Sequence, residues 1–452
     1  MRFGMRSRKK SVRALAAVSA GMLALTIGAC GGDSGHSGGG GGSNPPPLVT
    51  SPGSGLFAVN CDAGKAYVPL GTLGGDGNGQ VAVIDLTVDP DVTNPVVKII
   101  SLSHPDIPTG TALDNDDNLI IVVSGETSGQ DGKVDLIDTT TDTLVSGSPF
   151  PFPTGSQAGF FGQVLYNPVA HQALIATCDS SNCSSGQTLT GIATFDPATH
   201  TFGGIITANY PETFAVNSST NVVVDASDDD VAGQIGAVDI GGSRACTLSD
   251  SNIGDDNDGS SFDSTTNITV VSNENGTASV INLNGSSFNP NAGTPCTLDE
   301  GGTPPNSVLV DGLPSETAGS AINPQTHQAF LIEDGSNGIT LLQLPKKAVA
   351  QLTKLPAPIT STIPNDPSGV FWSTQGDPYA VAVASCKNLP NKGFAVDDSF
   401  NYMVEVDLTE FAKNPAKIPT ALPAGNCAGT STTFSCKNGN GVVFFPLTPP
   451  PV

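Results

Sequence analysis

With 53 Gly and 35 Pro among 452 residues, the chain is too rich in helix breakers to form helices of useful length. Forty-two Asp and Glu stand against 18 Lys and Arg, a net charge of −24. That balance argues against nucleic acid and anionic lipid surfaces as partners, because binding phosphate needs concentrated Lys and Arg. It is compatible with cation binding and with plain solubility.

The first element is a leader, residues 1–29. Arg2, Arg6, Arg8, Lys9, Lys10 and Arg13 precede an apolar run over 14–27 that is short for a bilayer span and has the form of a signal peptide. It ends in Ile27-Gly28-Ala29-Cys30, which resembles the processing box of bacterial lipoproteins, with small residues before a cysteine. The resemblance implies that Cys30 becomes the mature N-terminus and carries lipid. The alternative is an ordinary secretory signal cut after Ala29, leaving Cys30 free. Residues 30–55 then form a Gly, Ser and Pro tether, with His36 in it, that would hold a folded body away from the bilayer. The expected location is therefore the bacterial cell envelope, lipid-anchored, with Gly31 after Cys30 pointing to an outer membrane where the host has one. Losing the leader removes six basic residues and no acidic ones, so the mature chain carries a net charge of about −30.

From residue 56 to 452 one plan recurs seven times. Its first half, a turn and an apolar strand, falls at 60–68, 114–123, 167–176, 217–224, 263–271, 323–332 and 386–396. Its second half is a strand ending in a polar residue: QVAVIDL from Gln80, then KVDLIDT, GIATFDP, QIGAVDI, TASVINL, GITLLQL and YMVEVDL. The polar ends (Asp85, Asp138, Asp196, Asp239, Asn282, Gln343, Asp407) recur every 43 to 64 residues. Alternation with period two, as at Val81 and Val83 or Val134 and Leu136, marks strands, and units of this length holding several short strands are propeller blades. The expected fold is all-β, a single seven-bladed β-propeller. A row of blades leaves apolar ends unless it closes, and the final apolar strand, 441–447, is expected to join the first blade as a clasp.

Eight cysteines follow Cys30, an even number that in an exported chain reads as disulfides. Locality pairs Cys178 with Cys183 and Cys427 with Cys436. Repeat phase pairs Cys246 with Cys296, in matching places of consecutive units, and Cys61 with Cys386, which a closed ring would make neighbours. No pair has the two-residue gap of a zinc knuckle.

Units of the form NPxTHQAF followed by GxVxVID, with Asn323-Pro324-Gln325-Thr326-His327-Gln328-Ala329-Phe330 and Gln80 to Leu86 the nearest matches to the two halves, resemble the YVTN and lactonase-like seven-bladed propellers over most of 56–447. The YVTN tetrapeptide itself is absent, Ala66-Tyr67-Val68-Pro69 being nearest. The resemblance implies a fold shared by binding proteins, surface-layer proteins and lactone hydrolases, so it fixes no activity. Metal-dependent lactonases of this fold hold a divalent ion at the mouth of the central channel with carboxylates and amides. The corresponding candidates are Glu212 and Asp258, five residues before Asn217 and Asp263, with Glu316 and Asp377 shortly ahead of the same strand in later units. Calcium or another divalent cation is the cofactor they would take.

Other residues carry weaker chemistry. Asp114, Asp116 and Asp117, Asp228 to Asp230, and Asp255, Asp256 and Asp258 have the oxygen density calcium prefers, but none matches a twelve-residue loop closed by Glu, and solvated turns are the commoner origin. His171, His200 and His327 each follow Asn-Pro or Asp-Pro by three or four residues, which makes them turn residues; His104 stands outside that pattern. Two functions stay open. One is a noncatalytic, monomeric scaffold on a membrane tether whose loops bind a protein or glycan. The other is a metal-assisted hydrolase of a lactone or related ester.

Overall fold

Seven times the chain repeats one local programme: an inner strand of small and apolar residues, a tight turn, two more strands and an outer edge. A computed structural model describes residues 57–446 with interruptions, the longest at 125–131, 180–188, 285–305, 363–377 and 415–426. The leader, Cys30 and the tether lie outside the described residues. Blade 1 is Ala58–Asn60, Lys65–Leu70, Gln80–Asp85 and Val96–Ser101, antiparallel and in sequence order. Blade 2 follows with Pro108–Asp114, Leu119–Ser124, Lys133–Asp138 and an outer edge in two pieces, Thr143–Leu144 and Phe150–Pro151. In blade 3 the inner edge is divided, Ser156–Ala158 and Val164–Asn167 both pairing with Gln172–Asp179, before Leu189–Asp196 and Thr201–Thr207.

The remaining blades are regular. Blade 4 is Thr213–Asn217, Val222–Ala226, Gln234–Asp239 and Arg244–Ser249; blade 5 is Asn257–Asp263, Ile268–Asn273, Thr277–Asn282 and Ser307–Val310. Blade 6 is Thr317–Asn323, Gln328–Glu333, Gly338–Gln343 and Ile359–Thr362; blade 7 is Pro378–Ala384, Lys392–Asp397, Tyr402–Asp407 and Val442–Pro446.

Closure is visible in two ways. Each inner strand lies against the inner strand of the next blade, and that of blade 7 lies against that of blade 1. The buried apolar side chains also divide into seven clusters, one per interface between neighbouring blades. The cluster between blades 7 and 1 joins Phe57, Val59 and Ile84 to Ala382, Phe394 and Met403. Burying a side chain of this size stabilises by about 1.5–3 kcal/mol, so the seam is packed like any other interface.

The clasp is a correction. Val442–Pro446 does not join blade 1; it pairs with Tyr402–Asp407 and is the outer strand of blade 7, in the register Met403↔Phe445 and Val404↔Phe444. Blade 1 already draws four strands from its own sequence, whereas the third strand of blade 7 would otherwise face solvent with unpaired backbone groups. Ring closure is therefore made by side chains and one covalent bond. Cys61 and Cys386 form a disulfide across the seam, as repeat phase predicts, with Cα atoms 6.1 Å apart and 325 residues between them.

Of the other cysteines, Cys246 is also disulfide-bonded, while its expected partner Cys296 lies outside the described residues. Cys427 and Cys436 are direct cross-strand partners in a small ladder, a backbone spacing that permits a bond. Cys178 lies next to the end of the strand Gln172–Asp179 of blade 3, and Cys183 lies outside the described residues.

Among the described residues one helix interrupts the β plan. Residues Leu408–Lys413, here α1, begin at Asp407, whose carboxylate accepts the backbone N–H groups of Thr409 and Glu410, and they bury Leu408 and Phe411 on one face.

Candidate functional site

The geometry of both faces follows from the inner strands. At one end each runs into the turn leading to the second strand. That turn has four residues in blades 1 to 6, and its last residue is left-handed in every blade: Gly64, Asn118, His171, Asn221, Asn267, His327 and Asn391, with φ between 50° and 63°. Asn and His tolerate this conformation better than most residues. Gly64 has a further reason, since a Cβ there would collide with the Thr87 methyl.

The residue closing the inner strand ties this turn down and reaches the next blade. Asn323 Oδ1 accepts the N–H groups of Gln325 and Thr326, while its Nδ2 donates to Asn391 Oδ1 of blade 7 at 2.6 Å. Asn167 donates to Asn221 at 2.9 Å, and Asn217 donates to Asn267 at 2.6 Å. Where the closing residue is Asp263, the left-handed residue of the next blade is His327, whose Nδ1 lies 2.8 Å from Asp263 Oδ2. Asp114, in blade 2, faces Tyr166, and Asp116 beside it lies 3.4 Å from His171. Burial pushes the Asp114 carboxyl up to about 6. The acidic stretch at 114–117 is thus an Asx turn, its carboxylate accepting the N–H groups of Asp116 and Asp117.

His171 and His327 therefore act as turn residues and blade connectors. His200 is left-handed too, in the hairpin before the outer strand of blade 3, with its ring 4.5 Å from that of Phe150.

The opposite end of the inner strands holds the sequence-predicted carboxylates. Here the strand register slips by one residue in blades 2, 5, 6 and 7, so that Thr109, Asp258, Ala318 and Tyr379 are bulged. Bulges re-aim a side chain, and this one recurs at a fixed phase around the ring. Asp258 is half-buried in an inner strand whose other residues are buried. Glu316 is exposed and stands immediately before its strand, two residues outside the bulge phase. The structure thus separates these two positions within the repeat. Glu212, Asp377, Asp228 to Asp230 and Asp256 lie outside the described residues. Among the described residues no group of three or more His, Cys, Asp or Glu side chains is placed to hold a metal ion, and of the four candidate ligands Glu212 and Asp377 are not among those residues.

The same face carries a cluster that sequence reasoning missed. His104, in the connection from blade 1 to blade 2, is 5% exposed and lies between two carboxylates: Nε2 is 2.6 Å from Asp135 Oδ2, and Nδ1 is 3.1 Å from Asp106 Oδ2. Lys133 Nζ also reaches Asp106 Oδ2, at 2.6 Å. The Asp106 backbone N–H points at Nδ1 as well, at 3.3 Å, a contact that would require a neutral ring. The carboxylates decide for imidazolium: burial alone lowers its pKa, but the hydrogen bonds to Asp106 and Asp135 and their charges outweigh that and raise it to about 9. Burial acts on the Asp106 carboxyl in the opposite sense, and His104 and Lys133 overcome it, holding it below the ordinary value. Two cations and two anions thus form a buried ion-pair network that pins the connection leading to the Thr109 bulge. The sequence signal was faint, because Asp135 and Lys133 alternate with Val134 in an ordinary strand.

Taken together, these observations define a closed seven-bladed β-propeller with polar connectors on one face and bulged strand starts around the channel on the other. No protein-family model matches the chain, and no curated protein matches it either.

Proposed function

We propose that the chain is an exported, lipid-anchored propeller related to the YVTN and lactonase-like group, serving as a noncatalytic binding disc for a protein or glycan on the bacterial envelope. The observation that carries this reading is the commitment of the histidines. His171 and His327 close left-handed turns within blades 3 and 6, His200 packs on Phe150, and His104 is an imidazolium between two carboxylates. An ester hydrolase using imidazole as general base needs a ring free to take a proton; His104 and His327 each sit against a buried carboxylate, whereas the His171 side chain is 67% exposed. A rigid ring bearing loops is suited to binding.

A panel of lactones and simple esters, run with and without chelator, tests the noncatalytic reading. Turnover that chelator abolishes would replace it with the hydrolase. Titration calorimetry with calcium on the wild type and on Glu212→Ala and Asp258→Asn accompanies the panel, with no heat expected from any of the three. For the anchor, Cys30→Ala is expected to move the protein from the membrane fraction to the soluble one; an unchanged distribution would refute lipidation at Cys30.

A further inference from the structure

The face that carries the connectors is electrically divided. Every third strand ends on it, in Asp85, Asp138, Asp196, Asp239 and Asp407 of five blades but in Asn282 and Gln343 of blades 5 and 6. Both amides donate, Asn282 to the carbonyl of Val349 at 3.0 Å and Gln343 to that of His327 at 2.9 Å. A carboxylate could do neither, and the exchange removes two negative charges from this arc of the rim.

Cations take their place. Lys346, Lys347 and Lys354 stand exposed on the connection from the third to the outer strand of blade 6, and none has an ion pair among the described residues. That connection is fixed beneath them, because Leu344 and Leu352 are buried in the core between blades 5 and 6 and Val349 and Leu355 pack against it. In a ring of seven, blade 2 lies straight across from this arc. There Asp116 and Asp117 are exposed on the turn and Asp138 is half-buried at the strand end, with Asp62 and Asp85 beside them in blade 1 and Asp196 in blade 3. Lys65, in blade 1, is already held by Asp142 at 2.6 Å.

Opposite charges at opposite ends of one face make it complementary to itself. A twofold axis in the plane of contact, at right angles to the line from blade 2 to the lysines, sets each basic arc on the acidic arc of the other copy. Such a contact is isologous and closes at two copies. The described chain begins at the other face, since the inner strand Ala58–Asn60 runs toward the connectors, which leaves this face clear of its start. A net charge of −24 on each copy is repulsive at long range, but salt screens that repulsion beyond about 8 Å at physiological ionic strength, and the facing arcs act inside that distance.

We infer that the connector face docks a second copy of this chain, with blades 5 and 6 of each on blade 2 of the other. The inference stands on the charge pattern and goes beyond the binding role proposed above. It makes the chain a pair where the sequence reading expects a monomer.

Sedimentation equilibrium of the full chain at about 0.1 M and about 0.5 M salt tests it, with a parallel run containing polyphosphate. The samples are the wild type, Lys346→Glu with Lys347→Glu and Lys354→Glu, and Asp116→Lys with Asp117→Lys. The wild type is expected to dimerise at the lower salt and to weaken at the higher, and each reversed variant to lose at least about tenfold in affinity. Mixed together, the two variants are expected to regain it as a mixed dimer, since both contacts are again opposite in sign. The substituted side chains lie on surface turns, so each variant should melt with the wild type. A wild type that is monomeric at every concentration, a dimer indifferent to either reversal, or a mixture that does not associate overturns the pairing. A monomer that takes up polyphosphate through the three lysines overturns it in favour of an anionic polymer. Each of these outcomes leaves the noncatalytic reading standing, since that falls only on lactone or ester turnover.

Discussion

Removing the seam disulfide with Cys61→Ser and Cys386→Ser together tests how the ring is closed. The bond spans 325 residues, and chain-entropy arguments put the stabilisation from a loop of that size at about 6 kcal/mol at 25 °C. That figure is an upper bound, because the apolar cluster between blades 7 and 1 still draws the two blades together without the bond. A body of about 390 residues has an unfolding entropy near 0.8 kcal/mol/K, so the full amount corresponds to a melting shift of roughly 7 °C. Calorimetry on the double variant measures the shift directly. Treating the wild type with reductant would be less clean, since Cys246 is also disulfide-bonded. Hydrogen exchange supplies the second readout, with faster exchange expected in Lys65–Leu70 and Lys392–Asp397 than in the matching strands of blades 4 and 5. A shift below about 2 °C, with exchange uniform around the ring, would refute the reasoning and assign closure to packing alone.

Two further outcomes follow from the connectors and the buried cluster. His104 has a folded pKa of about 9 against an ordinary 6.5, so its contribution to stability is fully present below pH 6.5 and is lost as pH rises through 9. The amount is on the order of 3 kcal/mol, and urea midpoints from pH 6 to 10 should show a decline in the wild type that is absent in His104→Asn; parallel curves would count against the imidazolium. Asn323→Ala removes two turn hydrogen bonds and the donor to Asn391, so it should destabilise by about 1–3 kcal/mol in urea unfolding, and a loss under about 0.5 kcal/mol would make the connector ornamental.

How much of this was legible beforehand depended on whether the signal was periodic. The blades were, because Val81 and Val83 or Ile235 and Ala237 alternate inside strands that recur at blade spacing. The seam disulfide was legible for the same reason: phase alone placed Cys61 and Cys386 in neighbouring turns. Phase failed where blade 7 departs from the others. Its three extra turn residues shift the seventh unit, so reading it from Cys386 hid the fact that Ala384 closes the inner strand. Glu316 was legible as lying shortly ahead of its inner strand, but the bulge at Ala318 just after it leaves no mark in composition. The clasp depended on a choice between two sheets that both accept an apolar strand, and only backbone pairing distinguishes them. Of the partners of His104, Asp106 stands two residues away, but Asp135 is 31 residues away in a strand of blade 2 and left no local signal.

The face that carries the connectors has an implication for how such a ring can be rearranged. Amide meets amide at three interfaces, while Asp263 meets His327 at another, so at these four interfaces a blade presents a socket that suits the residue type of its successor. Blade order is therefore written into the molecule like a sequence of matched plugs. Exchanging blades 4 and 5 would set an acid against an amide, whereas joining the two ends at the covalent seam and opening the chain between two other blades would leave every match in place.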